Sequence, residues 1–468
     1  FRYFTRPKGC CTLLVHMPLG RITSKWESVI LFLGDLLALY FSLWLTLAIR
    51  HFEIPDGGKL EAHLQSFTIL FVFWFLVFYI AGLYDKHTTL LKKQIPVIIF
   101  NTQLINSGIA ILFFYLIPYF GITPKTTLFI FLLVSFVNII IWRRYSLMLF
   151  DSPNRQSALL IGSGTEMDEL KREVNGNPRY GIYFVSSLDV SNIANLDFQK
   201  EIVERVYAER ITTIVVDTKH SEVSQILPKL YNLIFSRVRF VDMHRVYEDV
   251  FDRIPLSLVE YSWFLENISA TRKFAYEFMK RLMDIVLTFP IAIFAVVIIP
   301  IVYIFVRRED GGPMFITQER IGKNNRLIRI YKIRTMTGSD SGDEVLSSKQ
   351  VVTKVGEVLR RFRIDELPQL WNVFRGDISL IGPRPELPAM VRQYEKEVPF
   401  YNIRHLIKPG LSWWAQIYHE NHPHHGANVG ATKEKLSYDL FYIKNRSIAL
   451  DLKIALKTVK TILTRSGK

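Results

Sequence analysis

Four stretches of this chain are long and apolar enough to cross a bilayer, and no other feature restricts its fold as strongly. Residues 29–49 are apolar except for Asp35 and a few small polar side chains. Residues 66–84 carry no charge, nor do 95–121, although Asn101, Gln103 and Asn106 interrupt the latter. Residues 126–142 form the fourth run. Each approaches the roughly 20 residues that a helix needs to span the hydrocarbon. Asp35 costs about 3 kcal/mol at the bilayer centre and each Leu or Phe returns about half of one, so the leucines outweigh it. Asp35 is expected to face another helix or to lie near the membrane surface.

Loop charges set the orientation. Arg2, Arg6, Lys8, Arg21 and Lys25 precede the first run, Lys86, Lys92 and Lys93 separate the second from the third, and Arg143 and Arg144 follow the fourth. The other loops hold only Arg50 and Lys59, and Lys125. Positive-inside counting puts the N-terminus, the middle loop and everything after residue 142 in the cytoplasm. The first 28 residues lack a continuous apolar core and read as a cytoplasmic segment, not a secretory signal. Residues 29–145 then form a four-helix transmembrane bundle.

Composition removes the competing classes. The chain has 58 Lys+Arg against 43 Asp+Glu, a net charge of +15, and 49% hydrophobic residues. Its mean hydropathy is +0.17. Disorder is incompatible with so many large apolar residues. The cysteines Cys10 and Cys11 are too few for a disulfide scaffold and read as reduced cytoplasmic thiols. The basic residues track membrane flanks and one phosphate site, so no nucleic-acid partner is expected.

Residues 155–262 read as a Rossmann-like α/β domain. Residues 157–164, SALLIGSG, are a buried strand entering a glycine turn, and a helical pattern follows over 166–174. Further strands are expected at 182–185, 212–216 and 238–241. Gly162 and Gly164 fit a dinucleotide fingerprint, but Met167 stands where its third glycine belongs. Nucleotide binding and a structural, regulatory or oligomerising role both remain open, as does a homo-oligomer.

Residues 263–468 form the last domain. Its apolar run 282–306 carries Asp284 as the only charge, with Lys280–Arg281 before it, Arg307–Arg308 after it, and Pro290 and Pro300 inside. Basic residues at both ends select no orientation. Proline removes a backbone donor and bends helices, so a full crossing and a re-entrant hairpin are both possible.

The chemistry concentrates between residues 311 and 385. The strings GGPMF, QERIG and YKIRTM lead to RRFRIDELPQLWNVFRGDISLIGPRPE. Pro368 belongs in the first turn of a helix, which sets Asp365 and Glu366 at its N-terminus. Adjacent carboxylates can divide labour between cation binding and attack on phosphorus. Arg360, Arg361, Arg363, Arg375 and Arg384 supply guanidinium groups suited to phosphate, and Pro383 and Pro385 hold Arg384 on a rigid backbone.

These strings resemble the bacterial sugar transferases, specifically the long-form monotopic polyprenol phosphate phosphoglycosyl transferases, over residues 275–465. The resemblance implies a membrane α-helical bundle, a Rossmann-like domain and a mainly α monotopic catalytic domain with a re-entrant membrane helix at 282–306. It implies transfer of a sugar-1-phosphate from a UDP-sugar to undecaprenyl phosphate with release of UMP, the first membrane step of exopolysaccharide, O-antigen or capsule synthesis. Asp365 matches the nucleophile that forms a phosphosugar-aspartyl intermediate, and Glu366 the Mg²⁺ ligand. Arg360 and Arg384 match phosphate- and nucleotide-binding arginines, Lys332 and Arg334 the basic pair of the YKxRxM string, and Pro290 the helix-breaking proline. UDP-sugars are cytoplasmic, so a hairpin on the cytoplasmic face of the inner membrane is the consistent topology.

Other features fit less closely. Relatives usually carry Asp-Pro-Arg where this chain has Lys349, Gln350 and Val351, and often TGWAQV where it reads Ser412-Trp413-Trp414-Ala415-Gln416-Ile417. His419, His422, His424 and His425 suit either a polar loop near the substrate or a transition metal. Residues 451–465 have helical apolar spacing with interleaved lysines, fitting an interfacial or a core-packing helix. Glucose and galactose are the leading sugars, with N-acetylated or modified sugars open. The alternative function is a non-catalytic, nucleotide-sensing membrane scaffold.

Overall fold

A computed structural model describes residues 25–84, 95–116, 125–150, 155–177, 180–190, 197–218, 220–236, 238–268, 274–336, 351–418 and 429–463. Cys10, Cys11, Lys349, Gln350 and the four histidines at 419–425 lie outside the described residues. The apolar runs become α1 (Lys25–His51), α2 (Gly57–Ala81), α3 (Ile95–Leu116) and α4 (Lys125–Phe150), all long and apolar enough to cross a membrane. Leu39, Leu43, Phe67, Phe71, Trp74 and Phe131 fill the space between them.

Lipid tails are as apolar as leucine, so shape and polar contacts must fix the register of such a bundle. Asp35 of α1 is fully buried against α4. Arg143 Nε donates to Asp35 Oδ1 at 3.2 Å, and Nη2 donates to Oδ2. Tyr84 Oη donates to Asp35 Oδ2 at 2.8 Å, and Arg143 Nη1 donates to the Leu83 carbonyl at 2.9 Å. Asp35 thus faces another helix. Arg143 reads in the sequence as a solvated flank, yet only 4% of it is exposed, because it neutralises Asp35. Gln103 Nε2 donates to Ser135 and Asn138 Nδ2 to Ser42, each at 2.9 Å.

The next body is a four-stranded parallel sheet. Its elements are β1 (Gln156–Gly162), α5 (Thr165–Gly176), β2 (Ile182–Asp189), α6 (Arg205–Ala208), β3 (Thr213–Val216), α7 (Ser221–Asn232), β4 (Arg239–Asp242) and α8 (Met243–Phe251). The order is β2-β1-β3-β4. Helices cover both faces, which is why β1 and β3 read as continuous apolar runs. Leu159, Ile161, Ile214 and Val216 face one core, and Ala158, Leu160 and Val215 the other. The end of β1 packs tightly on the start of α8. Met243 Sδ lies 2.8 Å from where a Cβ on Gly162 would stand, and Glu166 sits in the first turn of α5.

The remaining elements are α9 (Tyr261–Asn267), α10 (Phe274–Asp310), β5 (Phe315–Ile321), β6 (Leu327–Ile333), α11 (Lys354–Arg361), α12 (Gln369–Arg375), β7 (Ser379–Ile381), α13 (Pro388–Glu397), β8 (Gly410–Ser412), α14 (Trp414–Tyr418), α15 (Val429–Asn445) and α16 (Ile448–Leu463). Ile254, Val259 and Trp263 pack into this body beside Tyr401, Trp414 and Leu440. Arg253 clamps it to the sheet, bonding Glu169 of α5 at 2.5 Å and Glu434 of α15 at 3.0 Å. In α16, Asp451 and Ile454 are fully buried and Lys457 nearly so, while Leu452 and Val459 are exposed. One face of it therefore packs on this body, and Lys460 Nζ bonds the Ala81 carbonyl at the end of α2.

The helix α10 runs unbroken for 37 residues through Pro290 and Pro300. Near its start, Arg281 donates to the Val373 and Phe374 carbonyls at 2.6 Å each. Asp284 accepts from Ser379 Oγ at 2.8 Å and from the Leu380 N–H at 3.2 Å, which explains a carboxylate in an apolar run. Toward its end, Val302 and Val306 pack on Met314, Ile333 and Leu359. Both ends of α10 therefore rest on the same folded body.

The bundle yields one expectation. Arg143→Leu strands the Asp35 carboxylate and should cost about 3–5 kcal/mol, as removal of one partner from a buried pair does. This would appear as a lower thermal midpoint of the detergent-solubilised chain. Combining it with Asp35→Leu should recover most of the loss, and a double variant as unstable as the single one would exclude the pairing.

Candidate functional site

The strands β5 and β6 form an antiparallel hairpin in which Ile316 lies opposite Lys332. The chain returns as α11, capped by Thr353 Oγ1 accepting from the Gly356 N–H at 2.9 Å. Gly356 presses on the chain after β6, and a Cβ there would stand 2.2 Å from the Thr335 carbonyl oxygen. Only glycine permits that crossing. It brings Arg360 Nε within 2.8 Å of Thr335 Oγ1.

At the end of α11 the backbone turns sharply. Arg363 adopts a left-handed conformation, φ +54°, and Asp365 and Glu366 follow on a single 3₁₀ turn. Pro368 sits at the N-cap position of α12, as its fixed φ suits. Asn372 holds α12 onto β6, donating to the Arg329 carbonyl at 2.7 Å and accepting from the Tyr331 N–H at 3.3 Å. The acid pair is thereby set beside Lys332.

Arg384 arrives from the loop after β7. Gly382 and Gly410 abut so closely that a Cβ on Gly410 would stand 2.0 Å from the Gly382 nitrogen. The Gly410 N–H donates to the Pro383 carbonyl at 2.9 Å, so Pro383 shapes the turn. The Pro385 carbonyl accepts from Arg320 Nη1 at 3.4 Å. Above the turn, the Arg384 guanidinium lies 4.6 Å from the centroid of the Trp413 ring.

The two carboxyls are driven apart. Burial, then the neighbouring Glu366 charge, pushes Asp365 up to about 6 despite Lys332, Arg360 and Arg363. Burial alone would also raise Glu366, but Arg384, Lys332 and Arg363 together hold it below the usual carboxylate range. Arg363 Nη1 lies 3.5 Å from Glu366 Oε2. With its amide oxygen turned toward Arg363, Gln416 accepts from Nη2 at 2.8 Å. Burial lowers Lys332 to about 8, against the pull of Glu366. The site thus holds one carboxylate fixed in the ionised state and a second that changes charge near neutrality, the division of roles typical of catalytic acid pairs.

The fold brings together Asp365, Glu366, Lys332, Arg360 and Arg384. Arg334 instead lays its guanidinium against Gly312 of the GGP turn, and Pro290 lies in mid-α10. A third, partly buried carboxylate, Glu386, follows Arg384. Burial would raise it, but Arg404, Arg384 and Arg320 hold it ionised. Arg404 bonds Asp439 at 2.8 Å and donates to the Arg384 carbonyl at 3.1 Å. Neither Arg404 nor Asp439 lies in a motif that announces it. Arg363 was visible as one more arginine in a basic run, but its left-handed turn was not.

Among the described residues no three His, Cys, Asp or Glu side chains converge as a metal cage. One ionised carboxylate beside a second suits Mg²⁺, which commonly takes one or two protein carboxylates and completes its shell with phosphate oxygens and water. Val358 on α11, Phe362 just after it and Trp371 on α12 are exposed on either side of the acids in the chain. Carbodiimides label protonated carboxyls, so labelling of Asp365 should exceed that of Glu366 at pH 5 and fall as pH rises through about 6. Peptide mass spectrometry would read this, and preferential labelling of Glu366 would reverse the assignment.

The family model described as bacterial sugar transferase matches residues 275–465. The chain is 43% identical over 202 residues to a protein of Aeromonas hydrophila named UDP-N-acetylgalactosamine-undecaprenyl-phosphate N-acetylgalactosaminephosphotransferase, covering 41% of this chain and 45% of that one. It is 39% identical over 191 residues to the uncharacterized sugar transferase EpsL of Bacillus subtilis, covering 40% of this chain and 89% of that protein. It is 34% identical over 198 residues to a UDP-glucose:undecaprenyl-phosphate glucose-1-phosphate transferase of Caulobacter vibrioides, covering 41% and 72%. The chain thus spans less than half of its Aeromonas relative but most of the two shorter ones. The stretch they share is the one that carries the acid pair and its arginines, and by that stretch the chain belongs to the bacterial sugar transferase family.

Proposed function

We propose that the protein transfers a sugar-1-phosphate from a UDP-sugar to undecaprenyl phosphate, releasing UMP. The observation that carries this reading is the split acid pair, Glu366 held ionised and Asp365 titrating near 6, among Lys332, Arg360, Arg363 and Arg384. The arginines neutralise the diphosphate of the incoming nucleotide. Asp365 attacks the phosphorus that carries the sugar, and the P–O bond to UMP breaks. The resulting phosphosugar-aspartyl intermediate is then attacked by a phosphate oxygen of the lipid, which frees Asp365. Lys332 stays protonated near neutrality and offsets charge on the transferring phosphoryl group. Glu366 would hold a Mg²⁺ ion, whose positive charge would further stabilise the diphosphate. The relatives are named for glucose and for N-acetylgalactosamine, and this chain's sugar falls in that hexose class.

The same reading fixes the topology. The lipid acceptor requires the site to lie at a membrane surface, which the exposed Val358, Phe362 and Trp371 support. Both ends of α10 touch one folded body, through Arg281 and Asp284 at one end and Val302 and Val306 at the other. A helix that crossed the bilayer would carry one of these ends away from that body. We therefore read 282–306 as re-entrant without a full crossing, the helix staying continuous at Pro290 where the resemblance implies a break, below a cytoplasmic catalytic domain on the inner membrane. The parallel sheet acts beside it as a Rossmann-like accessory domain.

UMP release from UDP-glucose, UDP-galactose and UDP-N-acetylgalactosamine, with undecaprenyl phosphate and Mg²⁺ present, tests the reaction. Asp365→Asn should abolish release with the sugar that works, a drop of at least about a thousandfold for loss of a nucleophile. Undiminished turnover would overturn its role. For the topology, Arg308→Cys in a background without Cys10 and Cys11 should react with an impermeant maleimide only in inside-out vesicles. Reaction in right-side-out vesicles would mean that the helix crosses.

A further inference from the structure

Arg384 is the strongest cationic influence on Glu366 and also acts on Glu386. Two carboxylates therefore act through space on one guanidinium, on an arginine side chain with several rotatable bonds. The backbone under it is fixed by the Gly382–Gly410 contact and by Arg404, but a fixed backbone does not fix the guanidinium. The group that does so is an indole. Trp413 is buried, with 4% of it exposed, and its ring lies 4.6 Å below Arg384 Cζ. The adjoining Trp414 anchors the strand end that carries it, donating from Nε1 to the Asp252 carbonyl at 2.9 Å. The indole face is thus immobile before any ligand arrives. Tryptophan has the most electron-rich face of the aromatic side chains and is the best cation–π partner.

We propose that Trp413 is a positioning residue for the anionic diphosphate of the nucleotide substrate. Its ring holds the Arg384 guanidinium within electrostatic reach of Glu366 and Glu386, ready to receive phosphate oxygens. The inference rests on the transfer reaction proposed above. Core packing alone would also bury an indole, but it would not couple the indole to one arginine. The consequence falls on binding: without the ring, Arg384 must be ordered at the moment the nucleotide arrives, so KM rises while kcat changes little.

The test uses the full chain in lipid nanodiscs. Trp413→Phe keeps a weaker aromatic face, and Trp413→Leu removes it. The KM for UDP-sugar should rise by about two- to threefold in the first and about five- to tenfold in the second, as expected for a partly desolvated cation–π contact. Calorimetric titration with UMP follows binding where turnover is too slow to measure. In an Arg384→Leu background, Trp413→Leu should change UMP affinity by less than about twofold, because the partner is already gone. Equal losses of UMP affinity in both backgrounds would overturn the proposal, as would a Phe variant no better than Leu. A lowered kcat and thermal midpoint at unchanged KM would show plain core packing and overturn it too. If the unmodified protein releases no UMP from any UDP-sugar, the transfer reaction itself fails, a result distinct from every other outcome.

Discussion

Two adjacent carboxylates withdrawn from water repel each other, and the cost of that repulsion organises the catalytic body. Neither Asp365 nor Glu366 can remain charged there without cations, and the local chain provides only Arg360 and Arg363. Lys332 must come from a hairpin more than thirty residues earlier, and Arg384 from a loop beyond the next helix. Each is delivered by a close backbone contact: Gly356 on Thr335 for α11, Asn372 on β6 for the acid turn, Gly410 on Gly382 for the arginine loop. The charges are held in unequal shares, so one carboxyl remains ionised and the other titrates near neutrality. That inequality suits a site in which one acid holds a cation and the other attacks.

The same economy governs the membrane part. Lipid gives α1–α4 no hydrophobic reason to prefer one packing over another, so Asp35, Arg143 and Tyr84 fix the register where the bundle meets the catalytic body. Lys460 reaches the end of α2 a few residues from Tyr84. The apolar bundle, the parallel sheet and the body that carries the acid pair are joined by charged or polar clamps: Lys460 on Ala81, and Arg253 between Glu169 and Glu434. The acid pair is thus tied through these clamps to helices long and apolar enough to span a membrane.

The sequence was legible where local physics decides. Apolar runs of the right length gave four helices long enough to span a membrane, and short apolar strings gave β1 to β4 within a few residues. The acid pair and most of its arginines were visible because they share one short, dense string. Long-range pairing was not visible. Arg143 read as a solvated flank because nothing local reveals that Asp35 lies opposite it. Asp284 read as an isolated charge because Ser379 and Leu380 are nearly a hundred residues away. The segment 451–465 read equally well as interfacial or packed, since helical periodicity marks an apolar face without naming what covers it.

The sequence by itself determined the element types and set the acid pair and most of the neighbouring arginines in one short string. These follow from hydropathy, side-chain charge and spacing along the chain. The tertiary structure alone decided which charges meet. It set Glu366 low and Asp365 high, turned Arg334 toward Gly312, laid Arg384 on Trp413, and brought both ends of α10 to one body. Charge coupling falls off with distance in space, and distance in space is set by the fold.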